Sequence, residues 1–162
     1  MPALTNALLS IVVPLYNEEE NVALLTGKIH EALEGYTYQI VYVDDFSTDG
    51  TRRVIQQLKD PAVHLISLKK NYGQSLALAA GIDYAQGDYI ITMDGDLQND
   101  PADIPSMLPY VLSGEYDVVT GIRQKRKDSL LKKIPSKIGN FMVRRLGKLH
   151  VKYNGCALKV LS

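Results

Sequence analysis

Two carboxylates with one glycine between them, Asp94-Gly95-Asp96, follow the short apolar run Tyr89 to Met93. Residues two apart in extended backbone project to the same side. Both carboxylates can therefore face one point just past the end of a strand, and Gly95 leaves room for a ligand to approach the backbone. Two hard oxygen donors at an open strand end suit Mg²⁺ or Mn²⁺ that shares its shell with a phosphate. An isolated Asp-x-Asp is ordinarily an acidic turn, so the weight falls on what the rest of the chain places beside it. Three more polar clusters also follow apolar runs. Tyr16-Asn17-Glu18 follows Leu9 to Leu15, Asp44-Asp45 ends Gln39 to Val43, and Lys69 to Gly73 follows Val63 to Leu68.

The stretches between these clusters have helical spacing. Val22, Leu24, Leu25, Ile29 and Leu33 predict a helix, with Glu18 to Glu20 as acids complementing the positive end of its dipole. Thr51 to Lys59 predicts a second helix with Val54, Ile55 and Leu58 on one face. Ser75 to Ala85 predicts a third, ended by Gly87. Pro101, Pro105 and Pro109 punctuate a loop and a short helix ending near Ser113-Gly114, and Tyr116 to Thr120 reads as a fifth strand. Strands alternating with helices predict an α/β fold with a mainly parallel sheet. Ligands of such sheets bind beyond the carboxyl ends of the strands. That rule brings all four clusters to one edge.

The bulk numbers describe an ordinary globular domain: 162 residues, 46% hydrophobic and 22% charged. The single Cys156 excludes an internal disulfide framework and fits a reducing compartment, and the three histidines lack zinc-ligand spacing. Met1 to Ser10 does not read as a signal peptide. No apolar run approaches the roughly 18 residues of a membrane span. The net charge of zero conceals a division. Residues 1–120 carry six Lys/Arg against 17 Asp/Glu, whereas residues 121–162 carry 12 Lys/Arg against the single Asp128. In that tail Leu130, Leu131, Ile134, Ile138, Phe141, Met142 and Leu146 fall mostly three or four apart among the basic residues, with Pro135 at a kink or first turn. The pattern fits a basic amphipathic helix at an anionic membrane surface, or a core-packing helix with a basic outer face.

Val13-Pro14-Leu15-Tyr16-Asn17-Glu18-Glu19, Val43-Asp44-Asp45-Phe46-Ser47-Thr48-Asp49-Gly50-Thr51, Asn71-Tyr72-Gly73 and Asp94-Gly95-Asp96-Leu97-Gln98 together resemble glycosyltransferase family 2. The resemblance is greatest to its polyprenyl-phosphate, dolichol-phosphate mannose synthase-like branch, and it runs in order over residues 9–125. It implies a GT-A (Rossmann-like) nucleotide-sugar-binding fold, a UDP- or GDP-sugar donor, Mg²⁺ or Mn²⁺, and inverting transfer to a polyprenyl (undecaprenyl or dolichyl) phosphate. Residues 1–125 would form the donor-binding core, and 126–162 a basic amphipathic segment facing the acceptor and membrane.

By the same resemblance, Pro14, Tyr16 and Glu18 hold the nucleoside while Asn17 shapes the turn. Asp44 bonds the base, Asp45 and Ser47 shape its pocket, and Gly73 and Gly95 belong to the nucleotide site. Asp94, Asp96 and Gln98 serve the metal and diphosphate, with Asp96 also catalytic. Gly121-Ile122-Arg123 resembles a Gly-x-Arg whose arginine faces phosphate and, with Asp96, is catalytic. Arg123, Lys125, Tyr153 and Lys159 fall on the acceptor side. The enzyme would sit peripherally at the cytoplasmic face of the membrane, in cell-envelope biogenesis, with oligomerisation open and no nucleic-acid partner.

The chain departs from the family pattern in three places. Phe46 stands where a small residue is usual. Tyr153 stands at an Asp position in the Lys152 to Lys159 motif. The chain ends at Ser162, where family catalytic domains continue, and so reads as truncated. Two alternatives stay open: a catalytically impaired or truncated nucleotide-sugar-binding module, and a glycosyltransferase with a saccharide acceptor. A phosphoacceptor receiver leaves Asp-Gly-Asp unexplained. A nucleotidyltransferase lacks its Gly-rich loop at the first strand, and a dinucleotide-binding oxidoreductase lacks its Gly-x-Gly-x-x-Gly turn.

Overall fold

A strand apolar on both faces belongs in the middle of a sheet, and β1 (Leu8–Leu15) has that pattern: Leu9, Ile11, Val12, Val13 and Leu15 are all buried. The computed structural model describes residues 7–121 and 156–162. Two compact units are present, Met1–Gly121 with Ala157–Ser162, and Ile122–Cys156. Of the second, only the buried Cys156 is among the described residues. The expected basic helix, Arg123, Lys125 and Tyr153 all lie outside them.

In the first unit the order is β1, α1 (Val22–Ala32), β2 (Thr37–Asp44), α2 (Thr51–Leu58), β3 (Val63–Ser67), α3 (Gln74–Tyr84) and β4 (Tyr89–Thr92). A 3-10 turn (Pro101–Asp103), α4 (Ile104–Leu112), β5 (Val118–Thr120) and β6 (Lys159–Leu161) complete it. The six strands form one sheet in the order β3-β2-β1-β4-β6-β5. β1 to β4 are mutually parallel, and β6 runs antiparallel to both β4 and β5. The α/β, mainly parallel expectation holds, and the helix and strand bounds depart from it by only one or two residues.

Alternation along β2 assigns the two faces. Val41 and Val43 pack with Val12 and Ala77 of α3 in one buried cluster. The intervening Tyr42 points the other way, where its hydroxyl lies 2.8 Å from Thr26 Oγ1 on α1. Thr26 uses its only hydroxyl proton on Val22 O, so Tyr42 is the donor. Burial pushes that phenol up to about 12, which keeps it a neutral donor. Helices thus cover both faces of the central strands, and the core lies between each helix and the sheet.

Three local expectations change. No acidic residue lies in the first turn of α1; Glu18 to Glu20 precede it, and Glu18 O accepts from the N–H groups of Asn21 and Val22. Gly87 is not a left-handed helix cap. A Cβ there would come within 2.7 Å of Leu8 O and 2.8 Å of Ser10 N, so it is a close approach to β1. The third change is β6, for which the sequence reading assigned no strand. Its three residues fill the space between β4 and β5, with Thr92 Oγ1 donating to Ala157 O at 2.8 Å.

Candidate functional site

The chain proceeds from β1 outward to β2 and β3, then returns to place β4 on the other side of β1. This reversal opens a crevice at the carboxyl ends of β1 and β4, the usual ligand position in such sheets. A cleft of about 240 Å³ lies there, lined by Pro14, Leu15, Tyr16, Glu18, Asp45, Gln74, Asp94, Gly95 and Asp96. Seven of the expected site residues are among these nine. Among the described residues the cleft's lining has four carboxylates and neither Lys nor Arg.

The loop after β1 is bound to the loop after β2. Asn17 N–H donates to Ser47 Oγ at 2.9 Å, and Thr48 N–H donates to Asn17 Oδ1 at 2.8 Å. Glu18 N–H reaches Thr51 Oγ1 at 2.9 Å, and Glu19 Oε2 accepts from Gly50 N–H. Burial acts to raise the Asp49 pKa. Hydrogen bonds from the Thr51 hydroxyl, the Thr51 N–H and the Glu19 N–H outweigh it and hold the carboxyl below its usual value. This brace is therefore intact above the ordinary carboxylate range and weakens as acid protonates Asp49.

Asp44, expected at the base, sits behind the cleft. It is fully buried, does not line the cleft, and accepts from Ser47 N–H and Arg52 Nε. A carboxylate so placed braces its own loop. Its neighbour Asp45 does line the cleft, and its two oxygens take the N–H groups of Tyr72 at 2.7 Å and Gly73 at 2.8 Å. Gly73 has φ +87° and caps α3, a conformation that favours glycine. Its backbone orients the loop on Asp45. Asn17, Ser47 and Gly73 thus build the walls and are not part of the lining.

Asp94 and Asp96 are both half-buried and line the cleft, but β4 ends at Thr92 and residues 95–97 form a bend, so the loop and not strand alternation brings them together. Gly95 has a different reason from the one expected. A Cβ there would meet Leu15 Cδ2 at 2.2 Å, so the glycine lets the β4 loop close onto the end of β1. Gln98 does not line the cleft; its N–H donates to Asp96 Oδ1 at 3.1 Å. Lys159 opens β6 opposite Thr92, at the carboxyl end of β4.

Sequence reasoning missed Gln74, Leu15 and Arg52. Gln74 directly follows Asn71-Tyr72-Gly73 and opens α3, a position that could have marked it. Arg52 reaches Asp44 across eight residues, a pairing that only the fold reveals.

Among the described residues no group of three or more His, Cys, Asp or Glu side chains is placed to enclose a metal. The donor set is instead two carboxylates on one open cleft. That suits a Mg²⁺-like ion, which is commonly held by one or two carboxylates and completes its shell with substrate phosphate and water. None of the described helices is long and apolar enough to cross a membrane.

The profile of the family described as "Glycosyl transferase family 2" matches residues 10–161. Over 159 residues the chain is 42% identical to a dodecaprenyl-phosphate galacturonate synthase of Rhizobium johnstonii, covering 94% of this chain and 47% of that protein. It is also 42% identical over 156 residues to an undecaprenyl-phosphate 4-deoxy-4-formamido-L-arabinose transferase of Pectobacterium carotovorum, covering 93% and 47% respectively. The chain therefore spans about half the length of these curated relatives.

Among solved structures, a glucosyl-3-phosphoglycerate synthase from Mycobacterium tuberculosis superposes with a TM-score of 0.75 at 19% identity, over 97% of this chain and 57% of that one. A mannosyltransferase from Pyrobaculum calidifontis, solved with GDP-mannose and Mn²⁺, gives 0.66 at 21% identity, over 94% and 44%. These likenesses show the fold, which is the GT-A arrangement expected from the sequence.

Proposed function

The chain belongs to glycosyltransferase family 2, and on that premise we propose that it is the donor-binding part of an inverting, metal-dependent glycosyltransferase. The donor is a nucleotide sugar and the acceptor a polyprenyl phosphate. One observation carries the proposal: among the described residues, four carboxylates and no Lys or Arg line the cleft at the reversal of strand order. Such a cleft repels a diphosphate unless a cation lies between them. Asp94 and Asp96, with Gln98 alongside, would hold that cation, which as a Lewis acid would offset charge on the departing nucleoside diphosphate.

The remaining roles fall to the chain itself. Tyr16, exposed at the cleft, offers a ring face to a base, and Pro14 and Leu15 supply apolar contact. Glu18 and Asp45 provide acceptors for the nucleoside's donors. The acceptor phosphate is already an anionic nucleophile, so the transfer does not require a strong base. Arg123, Lys125 and Lys159 are proposed to attract it, with Tyr153 nearby. The basic stretch 126–162 would hold the chain at an anionic, cytoplasmic membrane face. The two relatives named above differ in the sugar of their names and share a polyprenyl-phosphate acceptor, which supports the lipid acceptor and leaves the sugar open.

A thermal-shift panel of UDP-, GDP- and dTDP-sugars with and without Mn²⁺ tests this, because a ligand selective for the native state raises its stability. One nucleotide class should raise the melting temperature only with the metal, and Asp96→Asn should abolish most of that dependence. No shift with any donor, or equal shifts without metal, would remove the proposal.

A further inference from the structure

We infer that Gln74 is the positioning residue of the metal–diphosphate site, holding Asp94 in its working orientation; the inference rests on the function proposed above. Gln74 lines the same cleft as Asp94 and Asp96. Its Nε2 lies 2.6 Å from Asp94 Oδ1. At that separation the amide must present its N–H, since a second oxygen would be repelled by the carboxylate. One Asp94 oxygen is thereby fixed, and with it the rotation of the whole carboxylate. A hydrogen bond to a ligating carboxylate orients it for the ion, and loss of such a partner ordinarily weakens metal binding about 10- to 100-fold.

Gln74 is itself held in place. It is the first residue of α3, directly after Gly73, whose N–H donates to Asp45 Oδ2 at 2.8 Å. Asp45 takes the neighbouring Tyr72 N–H with its other oxygen at 2.7 Å. A continuous series of contacts thus runs from Asp45 on one wall, through the start of α3, to Asp94 on the other. The two ends of the cleft are mechanically joined, and Gln74 is the link that touches the metal side. Gln74 is also exposed, so its amide contributes little to the folded core.

Gln74→Met tests this, because it keeps the length of the side chain and removes the amide that donates to Asp94. Mn²⁺ is titrated into wild type and variant, each in saturating UDP and separately in saturating GDP, and free-metal depletion is followed by electron paramagnetic resonance. The variant should bind Mn²⁺ about tenfold or more weakly, with an unchanged melting temperature in the absence of metal. In a double-mutant cycle with Asp94→Asn, the loss from Gln74→Met should largely vanish, because the carboxylate it orients is already gone. Wild-type Mn²⁺ affinity in Gln74→Met, or an undiminished loss in the Asp94→Asn background, overturns the role of Gln74 and leaves the proposed function standing. Absence of nucleotide-dependent Mn²⁺ binding in the wild type overturns both.

Discussion

Phe46 has a backbone φ of +66°, and Asn17 and Leu97 stand at +56° and +59°. Each belongs to one of the polar clusters that follow β1, β2 and β4. Asn adopts this left-handed conformation readily, whereas bulky side chains do so at a cost of roughly 1–2 kcal/mol. Strained backbone of this kind gathers at functional sites, where the surrounding hydrogen bonds hold it. At Phe46 those bonds are Ser47 N–H to Asp44 and Asn17 N–H to Ser47 Oγ. The ring receives partial compensation from Arg52, whose guanidinium carbon lies 5.6 Å from its centroid. An exposed contact of that type contributes about 0.5–1 kcal/mol, less than the strain. Phe46→Gly should therefore raise unfolding stability by up to about 1 kcal/mol in urea titration. A clear loss of stability would show that the ring contributes more than the backbone costs. The sequence marked Phe46 as a departure from the family pattern, but the reason, a left-handed turn suited to glycine, is visible only in the backbone.

Helix α3 is the element that joins core and cleft. Leu and Ala occur all around it, and Leu76 is exposed, so its composition predicts a helix without saying which side packs. Gly81 settles the side. A Cβ there would come within 2.4 Å of Val12 Cγ1 and 2.8 Å of Val43 Cγ2, so the helix rests directly on β1 and β2. Gly81→Ala should destabilise the protein by about 1–3 kcal/mol, the usual cost of overpacking a filled interior, measured as a shift in the denaturation midpoint. Since α3 begins at Gly73 and Gln74, the same displacement should also weaken metal-dependent nucleotide binding. A variant as stable as wild type would place slack between helix and sheet. The other instructive element is β6. Lys159-Val160-Leu161 is too short to show a period, and nothing local distinguishes it from a loop. It becomes a strand because β4 and β5 each present an edge that it pairs with.

At the scale of the whole molecule the chief feature is charge. The acidic residues 1–120 include the four carboxylates of the cleft, and the basic residues 121–162 include every expected acceptor-side cation. The role proposed for the tail at an anionic surface predicts that the chain sediments with phosphatidylglycerol-containing vesicles at low salt. It should be released near 1 M salt, where screening acts within about 3 Å. Failure to sediment at low salt overturns the membrane role while leaving the donor site untouched.

The alternation of strands and helices, the expected carboxyl-edge position of the candidate site, and the family were legible in the amino-acid sequence. Each of these is written in local patterns: apolar runs, helical spacing, and polar motifs that directly follow the apolar runs. Tertiary structure decided what depends on distance through space. It turned Asp44 into a brace and left Asp45 on the cleft, because adjacent residues at a strand end face opposite environments. It gave Gly95 to Leu15, Gly87 to β1, and Lys159 to a strand. It also set Gln74 against Asp94, twenty residues away along the chain, because α3 and β4 meet only once the sheet has formed.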